Sequence, residues 1–484
     1  MPVIHSDKFN SYYFEQLGEN VMPVGIYCSP HPPIEKNGIS YPSKITDEQF
    51  AAIKECGINV VYGHDELFGT PTEEWALKAM EYCDKYNLVY MIRAEVALQY
   101  IGNRSEGGKP LYATRPESEK KQLADELRRV LRLAGEHKSF GGILFVDEPG
   151  EVSFEGIAAA KKVFDEVCPD KLFLVNNNPY NILEVQYMNG VRVPGYVNHV
   201  EKYSDDKPHG EKYFNFLRTI NDCYHPEVYS YDMYPFGSLG TCKWGYHEAI
   251  YELPQICLSN DKTDGVPYWI FVQCGGYWEK QTTMRVPTMY EVNLSVNSAL
   301  AFGAKGIQLF PYCYPNCWIG DEDAIAGLIN EYGEKTFMYG NFKKALRQVT
   351  ACGKYLMHSR PECMLVSGKY ENALVGKEEM SKILWEETVY KGVLPKYGNI
   401  VKDSHKDVVK YSSDGQTVLS CFSAEKERLF YIFNTSTQVE ANAQVEFADC
   451  KSITIIKNGE KSVVKGNALS INLDAGAGAL IILI

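Results

Sequence analysis

Short apolar runs rich in β-branched and aromatic residues recur along the first two-thirds of the chain, each followed by a longer stretch of helical periodicity. The runs are Met22–Tyr27, Ile58–Tyr62, Leu88–Arg93, Gly142–Val146, Leu172–Val175, Val228–Tyr231, Tyr268–Val272 and Gly306–Phe310. Between them, Thr46 followed by Asp47 and Glu48 opens one helix, and another starts near Pro71-Thr72-Glu73. A long charged helix is expected from about Glu117 to Glu136, one capped by Ser153 from Phe154 to Cys168, and one from Pro287 to Ala304. The stretch from Tyr180 to Pro226 exceeds a simple loop and reads as an elaborated fifth unit with a helical piece from Glu211 to Thr219. Eight strand–helix units predict an α/β fold, a (β/α)8 TIM barrel. An open doubly wound sheet is the competing layout, but the glycine-rich fingerprint that usually follows its first strand is missing.

Beyond a helical stretch ending near Met357 the texture changes. Residues Thr417 to Ile484 alternate apolar and polar, with turns at Lys457-Asn458-Gly459 and Lys465-Gly466-Asn467, as in a small C-terminal antiparallel β-sandwich. The domain division expected is a barrel over 1–358, a linking segment of unassigned structure over 359–412, and the sandwich over 413–484.

Composition narrows the partners. With 484 residues, one large and one smaller domain are expected. The net charge of -13 argues against nucleic-acid or anionic-membrane surfaces, which need basic patches. No apolar run spans a bilayer; the closing Leu480-Ile481-Ile482-Leu483-Ile484 is strand-sized. The 14 cysteines are scattered, and neither a metal nor a cofactor is read from their spacing; Cys313 and Cys317, the closest pair, lack a nearby histidine. Many thiols and no visible signal peptide favour the cytoplasm, although an exported chain whose leader has been removed would read the same.

Catalytic groups in such barrels project from the C-terminal ends of the strands. Those ends carry His64, Asp65 and Glu66 after strand two, Arg93 and Glu95 after strand three, and Asp147 and Glu148 after strand four. Asn176, Asn177 and Asn178 follow strand five, Asp232 and Tyr234 strand six, Gln273 strand seven and Tyr312 strand eight. A rim of carboxylates, amides and tyrosines suits a carbohydrate, whose hydroxyls need hydrogen bonds and whose C–H faces stack on aromatic rings. Plainer readings compete at several positions. The asparagines favour turns, Arg93 and Glu95 share a strand face where they could form an ion pair, and Glu279 is an ordinary loop acid. The run His64-Asp65-Glu66 resembles a metal cluster on paper, but consecutive residues point in different directions.

Gly142-Ile143-Leu144-Phe145-Val146-Asp147-Glu148-Pro149 resembles the fourth-strand motif of the clan A glycoside hydrolases, retaining barrel enzymes whose strand usually ends in Asn-Glu-Pro. The resemblance implies that Glu148 is the general acid/base. It also implies a nucleophilic glutamate at the end of strand seven, where this chain has Phe271-Val272-Gln273-Cys274-Gly275; Glu279 lies six positions on. The adjacent Asp147 and Glu148 are also similar to the pair in hexosaminidases of families 20 and 123. That likeness implies an aspartate orienting the substrate's 2-acetamido group, which acts as nucleophile, and no strand-seven carboxylate. Inversion with Asp232 as base is the third scheme, and the carboxyl separation decides: ~5–5.5 Å implies a nucleophile and ~6.5–9.5 Å leaves room for a water. In all three Glu148 must deliver a proton near neutral pH, with Asp147 and Asp232 as the like charges that retain it. The expectation is therefore a glycoside hydrolase with catalytic Glu148, Asp147 and Asp232. Two rivals are a non-catalytic glycan-binding barrel and a metal-dependent lyase or isomerase using His64, Glu95 and Asp232.

Overall fold

The computed structural model describes residues 5–6, 9, 11–101, 111–150, 153–177, 219–234, 236, 266–279, 282–313, 327–368 and 402–484. All eight apolar runs form strands: β1 (Val24–Ile26), β2 (Val60–Tyr62), β3 (Val89–Ile92), β4 (Phe140–Asp147), β5 (Leu172–Asn177), β6 (Tyr229–Met233), β7 (Tyr268–Gln273) and β8 (Gly306–Phe310). Each pairs parallel with the next, and β8 pairs with β1, so the sheet closes into a barrel. Strands buried on both faces need apolar residues at every position, which explains continuous runs in place of alternation.

The described helices on the outside are α1 (Asp47–Cys56), α2 (Glu73–Tyr86), α3 (Glu95–Ile101), α4 (Glu117–Ala134), α5 (Phe154–Val167), α6 (Met289–Ala301) and α7 (Phe337–Leu356), besides short turns of helix. In α4 the buried residues Leu123, Leu127, Val130, Leu131 and Ala134 fall on one helical face, and the charged remainder faces water. Thr46 caps α1 by accepting from the Gln49 amide, and Gly57 ends it at φ 94°. Ser153 stands at the N-cap position of α5 but its side chain makes no capping bond, contrary to expectation. Thr288 and Glu291 form a reciprocal capping box on α6.

The barrel's lower end is plugged by the segment before β1. Tyr12 and Phe14 lie edge-on or tilted against Trp269, with ring centroids 5.8 and 5.9 Å away. Gly306, beside Trp269 in register, is required there, because a Cβ would meet the indole at 2.7 Å. Burying a ring such as Phe14 stabilises by roughly 1.5–3 kcal/mol. Access is therefore from the other end, where the strands terminate.

The segment expected to be a linker supplies two strands. β9 (Ser359–Ser367) is an edge of a six-stranded antiparallel sheet with β11 (Thr417–Ala424), β12 (Arg428–Asn434), β17 (Gly478–Leu483), β14 (Ser452–Lys457) and β15 (Glu460–Lys465). β10 (Val408–Ser413) joins β13 (Ala441–Phe447) and β16 (Ala468–Leu473) in a three-stranded sheet. Asn458 and Gly459, at φ 55° and 81°, make the tight turn between β14 and β15. The larger sheet is covered on both sides. One face packs on the smaller sheet, and the other on α6 and α7, where the Tyr431 hydroxyl donates to Asn297 at 2.7 Å. Among the described residues no helix is long and apolar enough to cross a membrane.

Candidate active site at the barrel mouth

β4 ends by delivering Asp147 and Glu148 to the mouth. Glu148 sits at φ 47°, a left-handed conformation uncommon for a residue with a side chain, and directly before Pro149. Its amide donates to the Asn176 carbonyl at 2.8 Å, which pins the strained turn to the end of β5. Register then does the rest: Asp147 pairs with Asn176, and Asn176 with Ser230 of β6.

Asn176 is the hub of the site. Its Nδ2 donates to Asp147 Oδ1 at 2.9 Å and to Asp232 Oδ1 at 3.2 Å, while its Oδ1 accepts from the Ser230 hydroxyl at 2.8 Å. One neutral amide thus holds two carboxyl groups in place. Asp232 is buried, and burial pushes its pKa well above the ordinary carboxylate range, with the neighbouring charges of Glu148 and Asp147 and a hydrogen bond to Glu148 adding to the effect. Burial and its carboxylate neighbours thus favour the protonated form of Asp232, the form that can donate to Glu148. The like-charge effect expected from sequence is present, and Asp232 is a group on which it acts.

The flanking strand ends are cationic and aromatic. Arg93, after β3, donates to the Tyr27 hydroxyl at 2.6 Å, and its charge acts on Tyr27 and Asp147. Burial raises the Tyr27 phenol well above its usual value, against the pull of Arg93. Tyr234 stacks on Phe310 at 5.2 Å and 27°, and Phe310 leans on Tyr27 at 5.9 Å. The half-buried rings of Tyr234 and Phe310 beside carboxyl groups offer a surface on which the C–H face of a sugar can lie.

Several expected site residues do other work. Gln273 is buried and its amide is spent on backbone: Nε2 reaches the carbonyls of Arg285 (2.7 Å), Phe236 (3.3 Å) and Gly275 (3.3 Å), and Oε1 accepts from the Phe236 amide at 3.0 Å. Tyr312 is fully buried on the outer side of the barrel, its hydroxyl on Gln49 of α1 at 3.1 Å. Glu95 does not share a strand face with Arg93, because β3 stops at Ile92 and Glu95 opens α3. Asn177 is buried and donates to the Ser230 carbonyl at 3.0 Å. Asn178, Cys317 and the expected helical piece up to 218 lie outside the described residues, as does the Glu279 side chain, although its backbone ends the hairpin strand Tyr277–Glu279.

His64, Asp65 and Glu66 diverge. His64 pairs with Asp65 at 3.0 Å, whereas Glu66 is buried and accepts from Ser29 (2.9 Å) and Tyr90 (2.7 Å). His64, Glu95 and Asp232 do not come within metal-ligating reach of one another. Sequence reasoning missed Tyr27, Phe310 and Ser230. The first two end β1 and β8 and were discoverable by the same strand-end rule, had it included aromatic as well as polar residues.

No protein-family model and no curated protein matches the sequence. Among solved structures the chain is similar to a family 39 glycoside hydrolase from the gut symbiont Bacteroides cellulosilyticus WH2, at 11% identity, covering 96% of this chain and 82% of that one, TM-score 0.48. It is similar to a family 5 glycoside hydrolase from Bacteroides vulgatus ATCC 8482 at 9% identity, covering 96% and 88%, TM-score 0.48. A β-galactosidase from the psychrophilic Marinomonas ef1 shares 11% identity over 96% of this chain and all (100%) of that one, TM-score 0.47. Likeness at this level carries no argument about chemistry, which must come from the site.

Proposed function

We propose that the protein is a glycoside hydrolase in which Glu148 protonates the leaving oxygen and Asp232 holds the proton that Glu148 delivers. The observation that carries this reading is the hydrogen-bonded Glu148–Asp232 pair, with a raised proton affinity on Asp232, at the open end of a closed barrel. A proton shared between two carboxyl groups is available near neutral pH, where an isolated glutamate has lost its own. Substrate binding draws that proton along the shared hydrogen bond onto Glu148 and from there to the glycosidic oxygen.

Two carboxyl groups in hydrogen-bond contact lie on one side of the substrate. The ~6.5–9.5 Å gap of an inverting pair cannot open between them, so Asp232 acts on Glu148 and not as the opposing base. The end of β7 offers Gln273, whose amide is occupied by backbone groups. Substrate assistance fits what remains: Asp147, held through Asn176 and half-buried beside Glu148, orients the substrate's 2-acetamido group for attack on the anomeric carbon. The rings of Tyr234 and Phe310 receive the sugar's apolar face.

A panel of aryl glycosides with and without a 2-acetamido group tests this directly. Hydrolysis confined to the N-acetylated members supports substrate assistance by Asp147. Hydrolysis of the 2-hydroxy members instead shifts the nucleophile to a protein carboxylate, with Glu279 the first to mutate. No hydrolysis anywhere leaves a glycan-binding barrel.

A further inference from the structure

Away from the barrel mouth, the sandwich gathers two cysteines and a histidine that the proposed activity does not use. Cys363 on β9 and Cys421 on β11 are directly opposite in the antiparallel register, and both are buried between the two sheets. His405, in the turn before β10, lies edge-on to the ring of Phe430 at 5.8 Å, and Phe430 is the register partner of Cys421. One ligating atom from each of Cys363, His405 and Cys421 lies within 4.8 Å of the other two, the one such group among the described residues.

We propose that Cys363, Cys421 and His405 bind a zinc-class divalent cation that ties the segment before β10 to the six-stranded sheet. Zinc–sulfur bonds of about 2.3 Å and zinc–nitrogen bonds of about 2.0 Å put tetrahedral ligand atoms roughly 3.5–3.8 Å apart, so side-chain rotation closing the triangle by about 1 Å completes it. Two sulfurs and one imidazole are the donor set that borderline-soft metals prefer over magnesium or calcium.

A fourth ligand is at hand. The β9–β11 register slips between Pro361 and Cys363, so Glu362 sits in a bulge and escapes the strict alternation that would turn it from its neighbour. Its Oε2 is 3.7 Å from His405 Nε2. On the other side of the imidazole, Asp407 Oδ2 is 3.9 Å from Nδ1, and Asp407 is itself held by Arg428 at 3.3 Å. Without metal, Nδ1 accepts from the Asp407 amide at 3.3 Å. Metal on Nε2 moves the ring proton to Nδ1, and a small rotation of the ring turns that proton from the amide to the Asp407 carboxylate, the carboxylate–histidine–metal arrangement that fixes a ligating ring. Binding releases both thiol protons to solvent, so affinity rises with pH.

The test uses the full chain, reduced, stripped with chelator and titrated with Co(II). Expected are thiolate-to-cobalt charge-transfer absorption and tetrahedral ligand-field bands that saturate at one cobalt per chain and vanish when zinc is added. Zinc should raise the thermal midpoint of the wild type and leave that of Cys421→Ser unmoved, and Glu362→Gln should keep the charge-transfer band while weakening binding about tenfold or more. A folded wild-type chain without thiolate absorption overturns the site, whatever the variants do. So does alkylation and mass analysis showing Cys363 and Cys421 joined as a disulfide in the protein as isolated.

Discussion

The two sides of the barrel mouth use the same residue types in opposite ways. On the side of β7 the polar side chains are satisfied locally at two points: Gln273 bonds four backbone groups, and Arg285 lies across the Glu291 carboxylate with its Nη1 at 2.7 Å from Oε2. Burial works against the Glu291 charge, yet the Arg285 bonds and the Thr288 amide hold its carboxyl below the usual range. On the side of β4 to β6, two carboxyl groups share one amide hub, a left-handed glutamate stands before a proline, and burial raises the proton affinity of an aspartate. One side is built for rigidity. The other stores the charge repulsion and backbone strain that chemistry can use, which is where strained, protonated groups are expected to gather.

The comparison breaks most visibly if charge is moved to the quiet side. Gln273→Glu places a carboxylate against three carbonyl oxygens and should cost about 2–4 kcal/mol, read as a lowered denaturation midpoint. It should add no activity, although it restores the residue type that clan A places at the end of strand seven. A gain in hydrolysis would mean that Gln273 faces the substrate after all.

On the charged side, Asp232→Asn keeps a donor to Glu148 but removes the stored proton. Activity at neutral pH should fall about tenfold, with the alkaline limb of the rate profile moved to lower pH. Stability responds with a definite sign. The folded chain keeps a proton on Asp232 that the unfolded chain releases near its ordinary pKa of about 3.9, so stability falls as pH rises from there through the raised folded value. Asp232→Asn should flatten that decline in denaturation measured from acidic to mildly alkaline pH. An unchanged slope would place the proton elsewhere.

The smallest effect expected is a gain. Glu148→Gly relieves the left-handed backbone and one like charge, and should raise stability by about 1 kcal/mol while abolishing activity. A loss of stability would show that Glu148 contributes more through its contacts than its conformation costs.

The barrel was legible because each strand is a continuous apolar run, and the carboxyl-bearing ends followed from knowing where strands stop. What the sequence withheld depends on partners distant in the chain. Asn176 could be placed at a strand end but not recognised as a hub, since that requires the registers of β4 and β6 together. Gln273 looked like a ligand-facing amide until the backbone from Phe236 and Arg285 arrived around it. Tyr312 misled for a local reason: two residues past β8 the chain has already turned outward toward α1. The strand face that Glu95 was expected to share with Arg93 failed because a strand was continued three residues too far. Cys363 and Cys421 lie far apart in sequence and meet only through antiparallel pairing.

Leaving-group dependence in Glu148→Gln tests the central claim most directly. If Glu148 donates the proton, the variant should lose about two or more decades in kcat/KM on substrates with poor, alkoxide-like leaving groups and far less on dinitrophenyl glycosides, which depart without protonation. An equal loss on both would contradict the assignment of Glu148 as the acid.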